Sequence, residues 1–579
     1  MHKFDVWAPR AQKVSVRVEG VIHPMQKAAQ KNRLGWWEAT VEGAGPGSDY
    51  GFSLDDGDVL PDPRSPWQPY GVNGLSRLVN HAEFKWTDSD WQARPLSSAI
   101  IYELHIGTFS PEGTFAGAMQ KLDHLVSLGV THLELMPVNE FAGDWGWGYD
   151  GVDLYAPHHA YGTPDDLKRL VDACHEKKLA VLLDVVYNHL GPAGNYLNDF
   201  GPYFTDAYHT PWGSAVNLDD KGSYEARRFF ADNALMWLQD YHFDGLRLDA
   251  VHAFEDHSAE HFLEQLASEV EALEAQLGRH FVLIAESDLN DPRVIKSRDA
   301  GGFGIDAQWS DDLHHALHSV LTGEQEGYYE DFGTLAQLAT ALQDAYVYKG
   351  DYSEHRQRRH GRRPAVEISG HRFLAYSQNH DQVGNRATGE RLSHIVETGR
   401  QKIAAAIVLT SPFIPMLFQG EEFGASSPFQ YFTNHNQELG ASISEGRRKE
   451  FAAFGWKPED VPDPQDKETF CRSKLNWNEV TEDYHADMLA WYKRLIELRK
   501  KTGALTDGHL DEVETNYSDE ASWLVMKRGG VEVVCNLGER CQEVPVQTSS
   551  REVICSAEDW KLDEESIQLP ADAVAILVK

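Results

Sequence analysis

Eight short apolar runs recur between residues 100 and 422, and most are separated by stretches with helical periodicity. They are IIYELHIG (100–107), THLELMPV (131–138), AVLLDVVYNH (180–189), DGLRLDAVHAF (244–254), FVLIAESD (281–288), FGIDAQWSDD (303–312), the run at 371–379 and FIPMLFQGEE (413–422). Between them lie an amphipathic helix over 115–129 ended by Gly129, a helix over 165–179 capped near Thr163 or Asp165, and an acidic helix over 258–277. A strand–helix rhythm repeated eight times predicts a parallel (β/α)8 TIM barrel, whose active site gathers at the C-terminal ends of the strands.

Four of these runs end in polar residues, and DGLRLDAVHAF is the most telling. Read as a strand through 254, it puts Arg247, Asp249 and Val251 on one face. Burying an Arg and an Asp together is costly unless they pair, as a structural ion pair or for chemistry. The other ends carry His189, Glu286 and, in SQNHD, His380 and Asp381. Glycosidic hydrolysis needs two carboxyl groups, one at the anomeric carbon and one to protonate the leaving oxygen. Asp249 suits the first role, with Arg247 to keep it ionised. Glu286, after the apolar VLIA, suits the second, and apolar walls are expected to raise its pKa. Strands ~4.8 Å apart allow the ~5–5.5 Å carboxyl separation of a retaining pair. Asp381 offers a third negative charge opposite a cationic transition state. His189 and His380 can donate to sugar hydroxyls, and Tyr149 in WGWGYD can stack on a sugar face.

The chain has 579 residues, enough for two to four domains. Three parts are expected: an N-terminal β-sandwich over 1–92, the barrel with insertions over 93–504, and a C-terminal antiparallel β-sandwich over 505–579. The N-terminal part can bind carbohydrate through Trp36 or Trp37, or serve as a packed wall; the wall is the expected reading. A Pro-rich stretch at 61–71 is a linker or a docked edge. The segment 190–224 reads as a short excursion, and EHRQRRHGRRP (354–364) and EGRRKEF (445–451) read as solvated basic loops. The net charge of −37 disfavours nucleic acid or an anionic membrane and suits a neutral ligand. Five scattered Cys without a CxxC pair argue against a disulfide framework or a zinc site, and a reducing cytoplasm fits. MHKFDVWAPR lacks the apolar core of a leader, and no run reaches the ~18 apolar residues of a membrane span.

The stretches DVVYNH, GLRLDAVH, IAESD and SQNHD resemble, in order and spacing, the four short motifs of the α-amylase superfamily, glycoside hydrolase family 13. The resemblance implies Asp249 as nucleophile, Glu286 as acid/base and Asp381 as transition-state stabiliser. It places Arg247, His189 and His380 around the sugar in the cleavage subsite. FDVWAPRAQKVSV is similar to the β-sandwich that precedes the barrel in branching enzymes and isoamylases. YELHIGTFSPEGTF, WGYDGVDLYAPHHAYGTPDDLKRLVDACH, DAQWSDDLHHALH and NHDQVGNRA extend the likeness to the subfamily that cleaves maltooligosyltrehalose, over most of residues 1–480. That likeness implies hydrolysis of the α-1,4 bond beside the terminal trehalose, and functional coupling to a synthase that makes this end. It further implies a groove lined by Asp311, Asp312 and His315 and by the stretch from His380 through Gln382 to Asn385. Many α-amylases carry His four residues after the nucleophile; here Ala253 stands there, with His252 one step earlier as a substrate contact. Asn188 in DVVYNH helps hold calcium in many amylases. The short excursion after it has few carboxylates, so no metal and no cofactor are expected, and a hydrogen bond from Asn188 is expected to hold the strand end. Alternatives are a branching enzyme, a general α-glucan hydrolase, or a non-enzymatic glucan-binding barrel.

Overall fold

The computed structural model describes residues 1–30, 32–364, 368–452, 456–547 and 552–579. Its centre is a closed parallel barrel of β1 (Ile101–Leu104), β2 (His132–Leu135), β3 (Ala180–Val185), β4 (Gly245–Leu248), β5 (Val282–Ala285), β6 (Ala307–Trp309), β7 (Phe373–Ala375) and β8 (Ile414–Phe418). The strands pair in chain order, and β8 closes on β1 through Met416 opposite Ile101. All eight expected strands are present, each shorter than its apolar run.

Two-residue alternation explains the interior. Ile101, Leu182, Val282, Ile284, Leu374, Tyr376, Ile414 and Met416 belong to one buried cluster inside the barrel. Each fully buried aliphatic side chain there contributes ~1.5–3 kcal/mol. The same alternation, carried toward the strand C-termini, brings Glu103, Asp184 and Arg247 inward. At the other end of the barrel Asp244, just before β4, accepts from Trp91 Nε1 (2.8 Å), contacts His175 Nε2 (2.9 Å) and pairs with Arg279 (3.1 Å). His175 Nδ1 lies 2.8 Å from Asp88 Oδ2, so one buried imidazole bridges two carboxylates.

The helix Pro164–Glu176 starts on a capping box between Thr163 and Asp166. The expected helix over 115–129 is two helices, Phe115–Met119 and Leu122–Leu128. The break falls where Gln120 caps the first; Gly129, at φ 100°, caps the second as expected. The strand expected over 244–254 ends at Leu248. Ala250 takes a left-handed φ of 39° and Val251–Ala253 form a 3-10 turn, so Val251 does not share a strand face with Asp249.

The expected basic loops are ordered elements. Residues 354–364 belong to a hairpin, Lys349–Ser353 against Arg358–Gly361, docked by Arg356 Nη1 to Asp288 Oδ2 (2.9 Å) and His360 Nε2 to the Asp288 carbonyl (2.7 Å). Residues 445–451 lie in the helix Gln437–Ala452, where Arg447 covers Tyr431 at 5.0 Å and donates to the Gly384 and Arg386 carbonyls. The excursion after β3 folds into Leu197–Phe200 and the hairpin Phe204–Thr210 with Gly213–Val216.

Antiparallel sheets flank the barrel on both sides in sequence. The N-terminal pair is built on His2–Trp7 against Trp36–Val41 and on Val14–Val18 against Asp49–Leu54. Trp37 is buried with Nε1 donating to the Ala8 carbonyl, and Arg33 covers Trp36 at 4.4 Å, so neither ring is an open platform. The Pro-rich stretch is docked: Gln68 is fully buried, and Arg64 Nη1 bonds Asp232 and Tyr155 on the barrel side at 2.9 Å each. At the C-terminus Trp523–Arg528, Val531–Asn536 and Ala573–Val578 form the middle of a five-stranded sheet. The strand of REVICSA is Glu552–Cys555, while Arg551 lies outside the described residues, as do 365–367 in the segment before β7.

Candidate active site

Arg247 organises the strand ends. It has no exposed surface and stacks on Trp309 of β6 at 4.1 Å. Nη1 donates to Asp184 Oδ2 (2.6 Å) and Asp249 Oδ1 (2.8 Å), and Nη2 donates to Glu286 Oε2 (2.6 Å). One guanidinium therefore holds the ends of three successive strands, and Asp249 and Glu286 share it. Asp184 also accepts from Tyr149 Oη at 2.6 Å.

Asp381 lies opposite, at the start of the short helix His380–Gly384 after β7. Its N–H donates to Asn379 Oδ1 (2.9 Å), and its carboxylate lies 3.5 Å from His380 Nε2. His380 is buried between Glu103, at 2.5 Å from Nδ1, and Tyr149 Oη, at 2.8 Å from Nε2. Burial works against its charge, but the Asp381 and Glu103 carboxylates prevail and push the imidazole up to about 9.

The proton arrangement corrects two expectations, that apolar walls keep Glu286 protonated and that Arg247 keeps Asp249 ionised. Glu286 is not held protonated by apolar walls. Burial does raise its pKa, but Arg247 and the N–H of Ala250 (2.9 Å) outweigh it, and the carboxyl is pushed below its ordinary value. Burial, together with Glu286, Asp184 and Asp381, holds Asp249 well above its ordinary value despite Arg247. Asp381 is raised as well, by burial first. The free cluster therefore keeps its charge on Glu286 and resists ionising Asp249.

The other expected contacts divide. Tyr149 stacks on His380 with centroids 5.1 Å apart. His189 lies parallel to the half-exposed Trp212 at 4.7 Å, and burial pushes its pKa down to about 4, so it is neutral. His252 is exposed beside Asp288, 3.9 Å from its carboxylate. Asp311 accepts from Tyr376 Oη, and burial, with Glu286 and Asp288 nearby, pushes it up to about 8. Asn385 is exposed, with Nδ2 3.5 Å from Asp381. Three lie elsewhere in the arrangement. Asp312 Oδ2 accepts from Asn290 Nδ2 (2.8 Å), Val347 N (2.6 Å) and Tyr348 N (3.0 Å), so this buried carboxylate anchors the insertion. His315 packs among Tyr328 (5.0 Å) and Phe332 (5.2 Å). The side-chain oxygen of Gln382 accepts from Asn379 N (2.9 Å), completing a capping box.

The Asn188 amide is buried and has no hydrogen-bond partner among the described residues, so it does not hold the strand end. Among the described residues no group of three His, Cys, Asp or Glu side chains gathers around it. Sequence reasoning missed Glu103, Asp184, Trp309 and Tyr376. Glu103 and Asp184 interrupt apolar runs just as Arg247 does, and that signal was available.

The α-amylase catalytic-domain family model matches residues 79–209. A malto-oligosyltrehalose trehalohydrolase of Mycobacterium tuberculosis is 49% identical over 100% of this chain and 99% of its own length. One from Arthrobacter ramosus is 51% identical over 86% of this chain and 87% of its own. A branching enzyme of Vibrio parahaemolyticus is more distant, 32% identical over 61% of this chain. The crystal structure of a candidate α-amylase from Salmonella typhimurium matches with TM-score 0.90 and 37% identity, covering 100% of this chain and 97% of that one. An Anoxybacillus pullulanase bound to maltotetraose, at TM-score 0.74 and 19% identity over 100% and 86% of the two chains, shares the fold. With near-full-length likeness at this level, the chain belongs to the malto-oligosyltrehalose trehalohydrolase family of α-amylase-type glycoside hydrolases.

Proposed function

We propose that this protein hydrolyses the α-1,4 bond next to the terminal trehalose of maltooligosyltrehalose, releasing trehalose and a shorter maltooligosaccharide. The observation that carries the reading is the shared grip of Arg247 on Asp249 and Glu286, with Asp381 opposite, in a chain of this family. Asp249 attacks the anomeric carbon, the bond to the leaving trehalose oxygen breaks, and Glu286 delivers the proton to that oxygen. Glu286 then takes a proton from water, water attacks the anomeric carbon, and the ester to Asp249 breaks. Asp381 faces the positive charge that develops on the ring.

The charge pattern of the free cluster has a consequence for binding. Substrate has to exchange the proton: sugar hydroxyls donating to Asp249 and Asp381 stabilise their anions, while the leaving oxygen accepts from protonated Glu286. Selection of the trehalose end rests on polar groups that a plain glucan would leave unpaired. Asp288, two residues beyond Glu286, accepts from Arg356 Nη1 at 2.9 Å, and this pair is the candidate for such a check. We place the protein in the cytoplasm, coupled in function to a synthase that makes the trehalosyl end. Five cysteines, all unpaired, support a reducing compartment, and no helix among the described residues is long and apolar enough to cross a membrane.

Proton NMR of the first turnovers tests the double displacement. The new reducing end of the maltooligosaccharide is expected as the α-anomer; release as the β-anomer overturns the role of Asp249 as nucleophile.

A further inference from the structure

After β2 the chain forms a small hairpin, Asn139–Phe141 against Gly151–Pro157. Glu140 lies on its outgoing strand, and the returning strand runs directly into His158 and His159. Chain geometry alone thus brings one carboxylate and two imidazoles together. One ligand atom from each lies within 4.8 Å of the other two.

Their hydrogen bonding is incomplete. Glu140 Oε1 lies 2.7 Å from His159 Nδ1, and Oε2 accepts from the His159 N–H at 2.8 Å. His158 has no exposed surface, and its ring lies flat on Phe141 at 3.7 Å. Its Nδ1 stands 3.4 Å from Glu140 Oε2 without hydrogen-bond geometry, and neither ring nitrogen has a partner among the described residues. A buried imidazole with both nitrogens unmatched is costly and calls for a ligand. Donors on two tetrahedral arms of 2.0–2.1 Å stand ~3.4 Å apart, which the His158–Glu140 spacing matches. His159 Nε2 faces the exposed Asp144 Oδ1 at 3.5 Å, and Nδ1 is engaged by Glu140 Oε1, a bond that a metal held between the two atoms would replace. His159 is about a quarter exposed and opens the cluster to solvent, leaving a fourth position for water.

We infer that Glu140, His158 and His159 form a binding site for a zinc-type divalent transition metal. Two imidazoles and one carboxylate suit zinc and its first-row neighbours, whereas calcium and magnesium prefer oxygen alone. The expectation of no metal rested on cysteine spacing and on Asn188, and neither bears on this cluster. The hairpin's loop carries Trp147 and Tyr149, and Tyr149 Oη bonds Asp184 and His380. The metal clamps the base of that loop and takes no part in bond cleavage.

The test uses the full-length protein, stripped with a chelator, then titrated with Zn2+ by calorimetry and with Co2+ by visible absorption. One saturable equivalent per chain is expected, with ligand-field bands of four- or five-coordinate Co2+, and a rise of a few degrees in melting temperature. Glu140→Gln and His159→Asn should each lose the bands and the thermal shift. His159→Asn changes a partly exposed side chain, so it reports even if the buried Glu140→Gln variant fails to fold. Absence of saturable binding in the parent protein, or undiminished binding in His159→Asn, overturns the site.

Discussion

Arg247 donates to Asp184, Asp249 and Glu286 at once, and its neighbours' proton affinities follow from that geometry. Asp249→Asn should leave melting nearly unchanged, because it replaces a carboxyl that burial and its neighbours already keep from ionising. It should lower kcat by at least about 10³-fold, as loss of a nucleophile does. A folded variant with near-normal turnover contradicts the assignment. The profile of kcat/KM against pH should be bell-shaped, with limbs that belong to the coupled cluster. Turnover needs ionised Asp249 with protonated Glu286, the reverse of the resting charge pattern, so the acid limb follows the depressed Glu286 and the alkaline limb the raised Asp249. An alkaline limb within the ordinary carboxylate range of about 4 would show that burial and like charges do not act on Asp249 as described. At this scale Arg247 and Asp249 were legible because charges interrupt an apolar run. The state of Glu286 was not, because it depends on the Ala250 N–H and on a guanidinium from the adjacent strand. The bonds of Asp312 were hidden for a similar reason: its partners, Val347 and Tyr348, come from an insertion whose path the periodicity did not give.

Among the elements, the hairpin Lys349–Ser353 with Arg358–Gly361 is tied to the loop after β5 through Arg356 and Asp288. Losing one charge-assisted bond of this kind costs about 1.5–3 kcal/mol. Arg356→Ala should therefore lower the melting temperature modestly and also lower kcat/KM on a trehalose-ended chain by about 10-fold or more. A drop in melting without a change in kinetics would make the hairpin purely structural. The far end of the barrel offers a control. Removing His175, which bridges Asp88 and Asp244, should destabilise by about 3 kcal/mol while leaving activity per folded molecule intact. Burial lowers the His175 pKa, but the two carboxylates outweigh it and raise it, so its stabilising effect is complete below the unfolded value and fades as pH rises through the folded one. Asp88 and Asp244 are depressed, so their share fades on acidification. The melting gap between the parent and His175→Gln should thus be widest near pH ~6 and narrow at high pH. The barrel strands were legible because each is a continuous apolar run bounded by helical periodicity. Their ends were not, because a left-handed Ala250 and a 3-10 turn keep the same residue types as a strand. Basic composition likewise suggested loops where Arg356 and Arg447 dock through partners distant in sequence.

For the molecule as a whole, a net charge of −37 and a neutral sugar substrate separate solubility from recognition. KM should change less than about twofold between low and high salt, since screening acts on charge pairs and the substrate has none. A steep salt dependence would point to a charged ligand. The most direct measurement is a paired product assay. The purified protein is given maltopentaose and, separately, a chain of the same length ending in trehalose, and products are separated by chromatography. Free trehalose from the second with little cleavage of the first is the expected result. Equal cleavage of both chains, or branched products from either, would contradict a site built for the trehalose end.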